Sequence, residues 1–124
     1  MAVERTGAQA PLETAPATGA HAFAAAMAAR GVELLFNLPG TQTLGLLALL
    51  AQRGGTRPVF VRHEQAATFA AGGYGKVTGR PAVCLAVPGP GATNMLTGTV
   101  SALADGIPMV VATPQVPADL LGRG

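Results

Sequence analysis

Tryptophan is absent from this chain of 124 residues, and aromatics together make up only 4%. Stacking platforms for nucleic-acid bases are therefore lacking, and the arginines are too scattered to gather the net charge of +2 into a phosphate-binding stripe. No nucleic-acid partner is expected. Cys84 is the single cysteine, which excludes an internal disulfide and a thiolate metal cluster and fits a reducing compartment. His21 and His63 fall in separate segments with few carboxylates nearby, so no metal site is expected either, and His21 on its alanine-rich helix reads as an ordinary surface or packed residue. Ser101 is the only serine and lies outside any Gly-x-Ser-x-Gly elbow. No apolar run approaches the roughly 20 residues of a membrane helix, and the opening Met-Ala-Val-Glu-Arg-Thr lacks the basic and apolar regions of a secretory signal. The expectation is a cytoplasmic protein with no membrane association.

Charge is also scarce. Charged residues are 11% of the chain, against about 25% in ordinary soluble domains. Such a domain covers its surface poorly with polar groups, which points to an exterior that meets another domain or subunit. A general bias toward alanine and glycine accounts for the same number equally well.

What is present is a regular alternation. Residues 1–17 mix prolines and polar residues without period and read as a disordered tail. From Thr18, a capping residue, a helix with Phe23 and Met27 on one face runs to a stop at Gly31. Strands are then expected at 32–36, 58–61, 82–87 and 109–113, and helices at 41–53, 64–77 and 92–104. The strands are uniformly apolar, the mark of parallel strands covered on both sides. The fold class is α/β, a doubly wound parallel sheet with helices on both faces. Because such a sheet normally continues past its last strand, the pattern reads as truncated at the C-terminus, with residues 18–124 an incomplete domain.

Several features invite a chemical reading. Gly40 and Gly45 have phosphate-loop spacing, but Leu46-Leu47 replaces the required Lys-Ser/Thr. The loop Pro88-Gly89-Pro90-Gly91-Ala92-Thr93-Asn94 follows a strand and opens a helix, yet its two prolines lack N–H groups and Asn94 replaces the last glycine of a dinucleotide fingerprint. A stiff loop that lets a ligand approach closely fits better than a phosphate clamp; a plain tight turn is the alternative. Glu64 opens an apolar helix just beyond the strand Val59-Phe60-Val61. A glutamate there can simply complement the helix dipole, worth about 0.3–1 kcal/mol. Held in a water-poor cleft, it could instead exchange a proton with a bound base. Gly72, Gly73 and Gly75 each cost roughly 1 kcal/mol against alanine in a helix, which suggests close approach of a neighbouring helix or a break at Gly72-Gly73.

Read in order, Arg62-His63-Glu64-Gln65-Ala66-Ala67, Gly73-Tyr74, Thr78-Gly79-Arg80-Pro81, Gly89-Pro90-Gly91-Ala92-Thr93-Asn94, Thr97-Gly98, Asp105, Pro108 and Gln115-Val116-Pro117 form a specific set. From Thr18 to Gly124 the chain resembles the N-terminal pyrimidine-binding domain of acetolactate synthase-like enzymes, which depend on thiamine diphosphate (ThDP). The resemblance implies that Glu64 is catalytic, hydrogen-bonding N1′ of the aminopyrimidine and so promoting removal of the thiazolium C2 proton. It implies that Pro39, Gly40, Gly89, Gly91 and Asn94 shape the cofactor pocket, and that Gln115 and His63 border the substrate side. The chain departs from the family pattern where Thr41 stands for a second glycine, where Gly72 and Gly75 flank Gly73-Tyr74, and where Pro114 precedes Gln115, a change that puts the placement of Gln115 in question.

The same resemblance implies that diphosphate and Mg²⁺ are held by a partner domain or subunit bearing a Gly-Asp-Gly…Asn motif, which does not occur here, in a homo- or hetero-oligomer. The chain alone is then expected to bind the cofactor weakly and to turn over negligibly. A piece of a longer 2-oxo-acid decarboxylase or carboligase, a split subunit, and an inert remnant or interaction module without catalysis all stay open, with a doubly wound nucleotide-binding module more distant.

Overall fold

The computed structural model describes residues 18–123; the tail expected over residues 1–17 lies outside them. Helix α1 (Gly19–Ala29) ends where Gly31 takes a φ of 62°, a turn glycine makes without strain. Strand β1 (Leu34–Asn37) follows, then a short 3₁₀ turn (Thr41–Thr43) leading into α2 (Leu44–Arg53). Next come β2 (Arg57–Phe60), α3 (Glu64–Thr78) and β3 (Ala82–Leu85). The chain continues through α4 (Pro90–Asn94), α5 (Leu96–Ala104) and β4 (Met109–Ala112) to a last 3₁₀ turn (Ala118–Leu120).

The four strands are all parallel, in the order β2-β1-β3-β4. Their apolar residues alternate between two buried faces, which is why no polar alternation is visible in the sequence. Leu35, Val83 and Leu85 pack with Ala24 and Met27 of α1 and Leu46, Leu47 and Leu50 of α2. Phe36, Ala82, Cys84 and Ala86 pack on the other side with Ala67 and Ala71 of α3 and with Met95. Helices therefore cover both faces, as the sequence pattern requires. No helix among the described residues is long and apolar enough to cross a membrane.

Three expected elements differ in detail. The helix expected over 92–104 is two helices meeting at Met95, because Pro90 takes the first helical position and starts α4 early. The strand expected over 82–87 ends at Leu85, which frees Val87 for the loop beyond. Helix α3 runs unbroken through Gly72 and Gly73. The close approach expected along its glycines occurs at Gly75, where an added Cβ would stand 2.7 Å from the Pro108 carbonyl oxygen, a connector and not a helix. The tight contact with a neighbouring helix comes from Gly98 of α5 against Thr68.

After β1 the chain crosses to one neighbour, β2, and then returns past β1 to β3 on its other side. The crevice at the carboxyl ends of the strands around such a reversal is where doubly wound sheets take ligands. The turn at Leu38 to Gly40, the segment leading into Glu64, and the loop through Val87 to Gly91 all leave the sheet at this end.

Candidate functional site

Glu64 occupies the first turn of α3 but does not reach into water as a dipole-complementing residue usually would. Its residue exposure is 8%. One carboxylate oxygen, Oε2, accepts a hydrogen bond from Nδ2 of Asn94 at 3.1 Å. His63, immediately before it, is the N-cap: its Nδ1 accepts the N–H of Gln65 at 3.2 Å. A ring nitrogen that accepts a hydrogen bond carries no proton, so the neutral ring holds its proton on Nε2. The helix start that presents Glu64 is thus fixed by the side chain next to it.

The other carboxylate oxygen borders bare backbone. An added Cβ at Gly91 would stand 3.3 Å from Glu64 Oε1 and 2.9 Å from Val87 Cγ2. An added Cβ at Gly40 would stand 2.3 Å from Val87 Cγ1. The two glycines therefore lie against the two methyl groups of Val87 from different strands' loops. Val87 thus occupies the space that a side chain at position 40 or 91 would need, so glycine at both positions lets the two loops close on it beside Glu64 Oε1. Thr43 closes the turn beneath Gly40, its hydroxyl accepting the Gly40 N–H at 3.0 Å and donating to the Gly40 carbonyl at 2.9 Å. Gly89, at a φ of 73°, redirects the chain so that Pro90 can begin α4 and bring Asn94 over Glu64.

The structure thus brings together Gly40, Glu64, Gly91 and Asn94, with Pro39 and Gly89 in the turns that carry them. It places His63 beside Glu64 as an exposed helix cap. It does not join Gln115 to this group: that residue is exposed beyond β4, and its Oε1 accepts the N–H of its neighbour Val116 at 2.9 Å. A hollow of about 340 Å³ lies on the α1–α2 side among Phe23, Gln42, Leu46, Leu85, Ala112 and Pro114 and shares no lining residue with the Glu64 cluster. Chemistry and volume therefore separate. The carboxylate, its hydrogen-bonding partner and the bare backbone are better evidence for a site than a greasy recess whose edges are open.

Two residues at this end escaped the sequence reading. Val87 looked like the last residue of a strand, and only its release from β3 makes it the floor between two glycines. Asn37 looked like a turn residue but is the last residue of β1 and fully buried. An asparagine directly after an apolar run and two residues before Pro39-Gly40 was the one available signal.

Known proteins resemble this chain over most of its length. The chain is 40% identical over 107 residues to the chloroplastic acetolactate synthase of Arabidopsis thaliana, covering 86% of this chain and 16% of that protein. It is 42% identical over 105 residues to the acetolactate synthase large subunit of Buchnera aphidicola, covering 85% of this chain and 18% of the relative. An acetolactate synthase of Mycobacterium bovis is 45% identical over 105 residues, again 85% of this chain and 17% of the relative. The chain thus spans less than a fifth of the length of these relatives. Residues 17–124 match the family described as thiamine pyrophosphate enzyme, N-terminal TPP binding domain, and the chain belongs to that family.

Proposed function

We propose that this chain holds the aminopyrimidine of ThDP against Glu64 and forms part of a 2-oxo-acid decarboxylase or carboligase of the acetolactate synthase type. The observation that carries this is a buried carboxylate at the carboxyl ends of the strands, with Asn94 holding Oε2 and Oε1 beside the backbone of Gly91. The ring nitrogen of an aminopyrimidine needs a group able to share a proton, and Glu64 supplies a buried carboxyl held on one side by Asn94. Gly40 and Gly91 let their loops close on Val87, which brings the Gly91 backbone beside Oε1. The residues present fit the group.

Each residue then has a task. Asn94 donates to Oε2, so a proton on Glu64 rests on Oε1, facing N1′ of the pyrimidine. Burial keeps water from competing for that proton. Pro39, Gly40, Gly89 and Gly91 are assigned to the loops around the cofactor, and His63 and Gln115 to the substrate side. When bound, ThDP would supply an acidic thiazolium carbon whose conjugate base is a nucleophile toward the carbonyl of a 2-oxo acid.

The diphosphate and its Mg²⁺ are assigned to a separate domain or subunit, consistent with a chain spanning 16–18% of its relatives. The outer faces of α3 and α5, where Phe69, Val77, Leu96, Val100 and Leu103 are exposed, are the surface assigned to that partner. In solution, titrating the isotopically labelled chain with ThDP should shift the amides of Gly40, Glu64 and Gly91 and the side-chain amide of Asn94, saturably and weakly. In an assembly with a diphosphate-binding partner, Glu64→Gln should slow deuterium exchange at the cofactor's C2 by about 10²-fold or more. Shifts clustered instead around Phe23, Gln42 and Pro114 would place the ligand elsewhere. No ThDP response even with the partner present would leave the alternative, an inert remnant or interaction module.

A further inference from the structure

We infer that Asn37 is the positioning residue of this site, tying the three loops that build it into one register; this rests on the ThDP reading above. Asn37 has no exposed surface. Its Nδ2 donates to the Leu85 carbonyl at 2.7 Å, across from β1 to β3, and to the Leu38 carbonyl at 3.2 Å. Its own carbonyl accepts the N–H of Val61 at 3.0 Å, on the β2 side. Each partner begins a segment of the site. Leu38 leads to Pro39 and Gly40, Val61 leads to His63 and Glu64, and Leu85 leads through Val87 to Gly91.

The chemistry explains why a polar side chain stands in so apolar a strand. At Leu38 the chain leaves the sheet, and Pro39 has no N–H with which to continue the ladder. Asn37 supplies donors to the buried Leu85 carbonyl and the half-buried Leu38 carbonyl at that point. An apolar residue of the same volume would fill the space and leave both carbonyls unpaired, a penalty met by moving the loops toward water. Oδ1 is buried and has no donor from the protein. Moving Asn37 therefore moves Gly40 against Val87 and Gly91 against Glu64 together, although Asn37 touches none of these residues' side chains through a hydrogen bond.

The test uses the full chain, isotopically labelled, with ThDP as probe. In the wild type the two Nδ2 protons of Asn37 should exchange with solvent about 100-fold more slowly than those of the exposed Gln115. Asn37→Leu should displace the amides of Gly40, Glu64 and Gly91 together and weaken ThDP about tenfold or more. Asn37→Asp should do the same at about pH 8 and recover toward about pH 5, as its carboxyl gains a proton and a donor, relative to wild type at each pH. A mere filler of volume would show no such recovery. Fast exchange in the wild type, shifts confined to residues 38–40, or ThDP affinity within twofold in a folded Asn37→Leu chain would each overturn the inference. Should both variants unfold, the wild-type exchange decides. Glu64→Ala separates the two levels: if ThDP binding ignores it, the site reading fails; if ThDP binding needs Glu64 but not Asn37, only this inference fails.

Discussion

Glu33 governs the end of the molecule away from the site. It stands just before β1, where the Tyr74 hydroxyl donates to Oε2 at 2.7 Å and Arg80 pairs with Oε1 while also donating to the Gly31 carbonyl at 3.1 Å. The Tyr74 hydrogen bond first, and Arg80 second, hold its carboxyl below the usual carboxylate range, and the same contact raises the Tyr74 hydroxyl. A carboxylate depressed in the folded state adds stability above its unfolded value, and that stability is lost as pH falls through the folded one. Tyr74→Phe should therefore lower Tm at neutral pH, with the gap to wild type closing through the acid range. A gap that stays constant with pH would mean that only packing was lost. Single residues were unevenly legible. Glu64 stood out as a candidate because it is one of few acids and opens an apolar helix, but the residues alone did not separate a buried carboxylate from one that serves the helix dipole. Glu33 showed nothing, because its partners lie 41 and 47 positions away. Asn37 and Val87 stayed hidden because their roles depend on where strands stop, which alternation of apolar residues does not fix.

Among elements, the spacing of α3 and α5 sets the site. Gly98 of α5 lies against Thr68 of α3, so that an added Cβ would stand 2.2 Å from Thr68 Oγ1 and 3.2 Å from the backbone nitrogen of Phe69. Thr68 is fully buried and its hydroxyl already donates to the Gln65 carbonyl at 2.9 Å, so it cannot simply turn aside. Thr68 and Gly98 each lie four residues beyond the partners Glu64 and Asn94. Gly98→Ala should wedge the helices apart, costing about 1–3 kcal/mol in urea unfolding, and should stretch the Glu64–Asn94 hydrogen bond. Thr68→Ala added to it should restore part of the loss by removing the obstructing hydroxyl. If the double variant is less stable than Gly98→Ala alone, the wedge is wrong and α5 has yielded some other way. The order of helices and strands was readable because every strand is apolar and each connection carries a helix, with the central pair β1 and β3 buried on both faces. Their ends were not. Pro90 began a helix where a stiff loop was expected, since a proline at the first helical position loses nothing by lacking an N–H. The glycines of α3 pointed to close packing but not to which neighbour would come close.

For the molecule as a whole, the low charge content allowed either a partner-facing exterior or a plain bias toward alanine and glycine, and located neither. With 11% charged residues, some surface must stay apolar. It collects on the outer side of α5 at the helical spacing Leu96, Val100, Leu103, with Phe69 and Val77 on α3; Leu103 is 79% exposed and Val77 86%. The inner side of α5 already packs through Gly98 and Ala102, so this second stripe serves no contact within the described residues. Charge on it should therefore leave the fold alone. Val100→Asp with Leu103→Lys should keep unfolding stability within about 0.5 kcal/mol, as surface substitutions usually do. In sedimentation the wild-type chain should self-associate with rising concentration and the double variant should not. Mixed with a diphosphate-binding partner, the variant should lose ThDP-dependent turnover through failure to assemble, whereas Glu64→Gln should assemble and fail in chemistry. Two losses of activity with different causes would then divide the molecule into a surface that recruits and a carboxylate that reacts. Full assembly by the charged variant would move the partner to another face, most plainly the open edge of β4, where Val110 and Val111 are also exposed.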